Sequence, residues 1–236
     1  MSRKIIIAIS GWKQSGKDSI ANCLLHDFKI SKETTEVDNE SINKMRSVQD
    51  VCIGSFADGI RSTIEAIFNI GQEHMATKEM KIEETYHFFD ETKSYRDLMI
   101  HVGENMKKIF GLDIWAKSIE AKIHKFFKDT VGTAIYVIPD VRYKVELDML
   151  KRMKYKGFEV YHICVFRKCA LPQYIKDGYK ITDPIDFEII KEKYNPDYSE
   201  YQWIQENKSF FTAIYNDGTI FDLTDQVREK IIDRIL

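Results

Sequence analysis

Apolar residues in this chain gather into short runs, uninterrupted over 5–9 and 134–138 and mostly apolar elsewhere, separated by longer stretches of helical period. The runs are residues 5–9 (Ile-Ile-Ile-Ala-Ile), 51–56, 134–138, Glu159–Phe166 and Phe211–Tyr215. A run of this length without polar alternation is what a strand covered on both faces requires. Between the runs, apolar positions recur every three or four residues. Ile20, Leu24 and Leu25 follow the first run. Ile60, Ile64, Ile67 and Phe68 mark a helix over 57–69. Leu98, Met99, Val102, Met106 and Ile109 mark another over 95–110. Trp115, Ile119, Ile123 and Phe127 fall on one stripe of a helix over 114–128. A helix over 145–155 ends before Gly157, and Leu223, Val227 and Ile231 mark a final amphipathic helix. Five buried strands separated by helices predict an α/β fold: a five-stranded parallel sheet with helices on both faces.

Three stretches break the pattern. Residues 29–50 are polar and aperiodic, and read as a surface loop or insertion. Residues 70–93 are charged and read as a loop with one short helix. Residues 168–208 are rich in Tyr, Asp and Lys and hold Pro172, Pro184 and Pro196. A segment this long beside a ligand site reads as a lid, or as an insertion with no part in closure. The 236 residues suit a single domain carrying these insertions.

The candidate chemistry begins where the first run ends. Gly11-Trp12-Lys13-Gln14-Ser15-Gly16-Lys17-Asp18-Ser19 joins a buried strand to a helix. Strand, glycine-bounded loop, lysine and helix make a phosphate-binding P-loop. Gly11 and Gly16 let the backbone turn tightly and approach phosphate oxygens. The loop amides and the helix N-terminus then face an anion, and Lys17 adds a mobile charge. The hydroxyl usual after the lysine comes one place later, at Ser19. Asp18 reads either as a favourable charge at a helix start or as a ligand to a metal-bound water. The run over 134–140 ends in Asp140, the form of a Walker B strand. Its carboxylate at the sheet edge suits a metal-bound water or a substrate group. Arg142 follows closely. Arg61 and Arg96 each stand in the first turns of a helix, and Arg167 ends a strand. Arg96 opposes its helix dipole, a local conflict that points to function or to a neighbouring carboxylate. Trp115 lies on an apolar stripe, which favours a core role over a base-stacking platform.

Composition adds exclusions. The 35 basic and 37 acidic side chains leave a formal charge of −2, so bulk charge favours neither nucleic acid nor a membrane surface. No apolar stretch approaches the roughly 20 residues of a membrane span. Cys23, Cys52, Cys164 and Cys169 form no Cys-x2-Cys pair. They read as reduced residues of an intracellular, cytoplasmic protein.

Five patches together resemble the deoxynucleoside monophosphate kinases of phages and large DNA viruses. They are residues 10–18, Phe56-Ala57-Asp58-Gly59-Ile60-Arg61, Tyr95-Arg96-Asp97-Leu98-Met99, Pro139-Asp140-Val141-Arg142 with Glu146, and Asn216-Asp217-Gly218. The resemblance implies a nucleoside monophosphate kinase fold and transfer of the γ-phosphoryl of ATP to a deoxynucleoside monophosphate. It implies that Gly11, Lys13, Ser15, Gly16, Lys17, Asp18 and Ser19 hold ATP, with Asn216 beside the base. Ser19 and Asp140 would hold Mg²⁺. Arg61, Arg96, Trp115 and Arg167 would face the acceptor, and Lys17, Asp140 and Arg142 would act in catalysis. Relatives of that family are often dimers, which implies a homodimer as one assembly state. Animal-type phosphomevalonate kinases share nearly the same frame and are the second resemblance. Both families phosphorylate a phosphate. Such an acceptor is already ionised and needs no general base.

Overall fold

A computed structural model describes residues 3–33, 48–75, 80–81, 85–88, 91–168, 173–178, 189, 192–193 and 211–235. The described chain clusters into two compact units. One comprises residues 1–54 and 123–236, the other residues 55–122.

The first unit holds the sheet. Its strands are β1 (Lys4–Gly11), β2 (Val48–Ile53), β5 (Thr133–Ile138), β6 (Glu159–Phe166) and β7 (Phe211–Tyr215). They lie side by side in the order β2-β5-β1-β6-β7, and every pair is parallel. β1 is central, and all its residues except Lys4 are buried. This is why it carries the least interrupted apolar run. Ile5, Ile7 and Ile9 pack on one face with Ile20, Leu24 and Phe28 of α1 (Lys17–Glu33). Leu223 and Val227 of a C-terminal helix join the same cluster. Tyr136 of β5 meets Phe126 edge to face, and Phe127 packs on Phe158.

The second unit contains α2 (Phe56–Phe68), a 3-10 turn (Gln72–Met75), strands β3 (Thr85–Phe88) and β4 (Glu91–Ser94), and α3 (Tyr95–Phe110). α4 (Ile114–Asp129) begins in this unit and ends in the first. The first unit also contains α5 (Lys144–Tyr155), the one-turn α6 (Gln173–Lys176) and α7 (Ile220–Val227). α7 runs into a π turn (Arg228–Ile232) and a last helical turn (Asp233–Ile235). In the second unit Ile64, Met75, Tyr95 and Leu98 form a separate small core.

The structure corrects several element bounds. The strand expected over 51–56 is Val48–Ile53, because Ser55 and Asp58 form a capping box that starts α2 at Phe56. The stretch 70–93, expected as loop and short helix, also contains the antiparallel hairpin β3–β4, with Thr85 opposite Ser94 and Phe88 opposite Glu91. The expected insertion over 29–50 is partly helix, since α1 reaches Glu33. Residues 34–47 and most of the lid expected over 168–208 lie outside the described residues.

Candidate functional site

Parallel register brings three strand ends together. Ala8 pairs with Ile138, so Asp140 emerges beside the end of β1. Gly11 pairs with Val165, so Arg167 emerges on the other side. Ligands in open parallel sheets bind outside these carboxyl edges. The loop over residues 11–16 leaves β1 here and enters α1 at Lys17.

The loop is a tight turn. Ser15 N–H donates to the Trp12 carbonyl at 3.1 Å. Gln14 adopts φ 65° and Gly16 φ 101°, both in the left-handed region. A side chain at 11 would collide with Ser15 Oγ and the Val165 carbonyl. One at 16 would collide with the amide of Asn216. Gly11 is therefore fixed by close approach to the Val165 backbone, and Gly16 by its left-handed φ. Lys17 is buried to 8 % exposure, and its ammonium donates to the Gly11 and Trp12 carbonyls at 2.7 and 2.8 Å. The first intrahelical bond runs from Ile20 N–H to the Gly16 carbonyl at 3.1 Å. The amides of Lys17, Asp18 and Ser19 come before that bond and lie at the positive end of α1. Ser15 Oγ is buried and has no hydrogen-bond partner among the described residues. An orphaned hydroxyl beside a cluster of amides is what a phosphate oxygen would satisfy. Lys13, Asp18 and Ser19 are exposed on the rim.

The floor of the loop is a small polar network. Ser10 Oγ donates to the Val141 carbonyl at 3.1 Å and lies 2.7 Å from His162 Nε2. Burial pushes His162 down to about 4, so the imidazole is neutral at pH 7. Val141 N–H donates to the Ile9 carbonyl at 3.2 Å. These bonds fasten the segment after β5, which carries Asp140 and Arg142, to the end of β1. Glu146 fastens it from α5. One carboxyl oxygen accepts from the N–H groups of Arg142 and Tyr143, at 2.6 and 2.9 Å. Burial, with Asp140 close by, pushes Glu146 up to about 8. Asp140 and Arg142 are themselves half-buried, and Arg167 is exposed.

Asn216 approaches from β7. Its side-chain amide donates to the Ser15 carbonyl at 2.9 Å. It therefore touches the loop over residues 11–16 itself.

The other predicted residues lie in the second unit. Arg61 pairs with Asp58, whose other oxygen accepts from Ser55 N–H at 2.8 Å. Asp58, Arg61, Gln72 and Glu73 line a cavity of about 390 Å³. Arg96 is exposed in the first turn of α3. Trp115 is buried, its indole N–H donates to the Gly103 carbonyl at 3.1 Å, and its ring closes over Gly59. Its polar handle is thus used inside that unit.

Sequence reasoning does not assign a site role to Ser10, Glu146 or His162. A glutamate at the third position of a helix signals a cap, but not this use of Glu146. The Ser10–His162 contact spans 152 residues and leaves no local signal.

No protein-family model matches the sequence, and no curated protein matches it. Among solved structures, the chain is similar to the Mycobacterium tuberculosis APS kinase CysC in complex with AMPPNP and APS. Identity is 11 %, the TM-score is 0.41, and 96 % of each chain is covered. It is also similar to a gluconokinase from Sinorhizobium meliloti 1021, with 7 % identity and a TM-score of 0.38, covering all of this chain and 95 % of that one. The strand order and the loop, not these likenesses, define the fold.

Proposed function

We propose that the protein transfers the γ-phosphoryl group of ATP to the phosphate of a deoxynucleoside monophosphate. The observation that carries this reading is the loop. A glycine-bounded turn with an orphaned buried hydroxyl, a folded-in lysine and the amides of a helix start is built to receive polyphosphate. Asp140, Arg142 and Arg167 emerge at the flanking strand ends.

The roles follow from charge. Lys17 leaves its loop carbonyls and follows the β- and γ-phosphates. Arg142 and Arg167 offset the negative charge of the transferring group, and arginine does this bidentately. Ser19 and Asp140 supply a hydroxyl and a carboxylate, hard oxygen donors that suit Mg²⁺. When bound, it neutralises charge on the phosphoryl oxygens. Arg61 and Arg96 are assigned to the acceptor by resemblance and by guanidinium chemistry. Asp58 fixes one edge of the Arg61 guanidinium. The second carboxyl near the loop, Glu146, is engaged by two backbone amides. Catalysis then rests on positioning and electrostatic stabilisation, with a phosphate acceptor that needs no base.

A coupled assay of ADP release, run over deoxynucleotide and ribonucleotide monophosphates and phosphomevalonate, tests this. Turnover is expected with a deoxynucleoside monophosphate. Lys17→Ala and Arg142→Ala should each lose at least about a hundredfold in kcat/KM with the circular dichroism spectrum unchanged. Turnover of phosphomevalonate alone, or full activity in either variant, would refute the assignment.

A further inference from the structure

Asn216 stands 201 residues from Ser15 in sequence, yet its amide nitrogen lies 2.9 Å from the Ser15 carbonyl. Only the nitrogen of that amide can face a carbonyl oxygen. The approach is close because Gly16 has no Cβ: one built there would sit 2.2 Å from the Asn216 nitrogen. Asn216 is itself held. Its backbone N–H donates to the Phe166 carbonyl at 2.7 Å. The next residue, Asp217, accepts from Lys168 N–H at 2.6 Å. Two residues further, Thr219 and Asp222 form the capping box that opens α7.

The carbonyl of Ser15 and the N–H of Gly16 belong to one planar trans peptide unit and point in opposite directions. Whatever holds the oxygen on one side of the loop therefore presents the N–H on the other. We propose that Asn216 is a positioning residue of the phosphate loop: it holds the Ser15 carbonyl so that the Gly16 N–H is turned toward a bound polyphosphate. The inference rests on the reading of residues 11–19 as a phosphate site, and it moves Asn216 from the base of the nucleotide to the phosphates. The same turn reaches Lys168 through Asp217, so the segment that carries Arg167 and the phosphate loop share one support.

A base contact and a loop support differ in what they recognise. Isothermal titration of the full chain with ATP, and separately with inorganic tripolyphosphate, separates them. Asn216→Ala should weaken both ligands by the same factor, about tenfold for one lost hydrogen bond to a constrained loop, with the melting temperature little changed. Asn216→Ser, too short to reach the carbonyl but at home in a turn, should behave alike and replaces the alanine variant if that one does not fold. Weakening of ATP with tripolyphosphate untouched would overturn the proposal in favour of a base contact. Unchanged affinity for both would also overturn it while leaving the phosphate site standing. A parent protein that binds neither ligand would remove the phosphate site and this proposal together.

Discussion

Glu146 is 5 % exposed and sits at the third position of α5, where its carboxyl oxygen closes over two amides that precede the helix. Burial and the neighbouring Asp140 raise it to about 8 from an ordinary 4.5. The native chain thus holds a proton that the unfolded chain releases between those two values. Stability should fall as pH rises through that window, because charging the buried carboxyl is unfavourable. Glu146→Gln keeps an oxygen for the amides and removes the ionisation. Thermal melts should show the variant gaining on the parent from pH 5 to pH 9. A constant difference across that range would contradict the assignment. Residue identity makes the geometry of the loop legible from sequence: Gly11 stands where a Cβ would meet backbone, Gly16 takes a left-handed φ, and Lys17 folds back on the loop carbonyls. The supports are not legible. Asn216 and His162 act through contacts that only the folded sheet brings together, whereas Glu146 acts through a local helix cap whose burial the sequence does not reveal. A turn after a strand says nothing of what its side chain reaches, so the contact of Asn216 with the Ser15 carbonyl is not readable from sequence alone.

At the scale of elements, buried strands and periodic helices are readable because burial leaves a mostly apolar run, uninterrupted in the central strands. Tyr95–Phe110, Glu159–Phe166 and Phe211–Tyr215 have the predicted bounds. The hairpin β3–β4 escapes the pattern because four-residue strands such as Glu-Thr-Lys-Ser carry no apolar period. The start of α2 is displaced because Phe56 prolongs an apolar run, although Ser55 and Asp58 already spell a cap. α1 and the C-terminal helical segment are joined by an ion pair. Arg228 donates to both oxygens of Asp27, at 2.9 and 3.3 Å, and the Asp27 side chain is only 5 % exposed. Arg228→Leu would leave a buried carboxylate without its partner. Denaturant unfolding should show a loss of about 1–3 kcal/mol. A loss within a few tenths of a kcal/mol of zero would mean that the pair contributes nothing.

At the scale of the molecule, the sheet is a frame that brings residues from distant segments to one edge. Residues 11–19, 140–142, 167 and 216 are dispersed along the sequence and converge because β1 is central between β5 and β6, with β7 next to β6. The unit of residues 55–122 has its own core and its own lined cavity, and carries Arg61 and Arg96. No described helix is long and apolar enough to cross a membrane. The loop after β1 is proposed to grip a triphosphate. Equilibrium titration of ATP into the parent protein and into Lys17→Ala tests it most directly. Saturable binding by the parent, weakened about a hundredfold or more in the variant by loss of one charge-assisted contact in a partly desolvated site, is the predicted result. Equal affinity in the two proteins, or no binding by the parent, would contradict it.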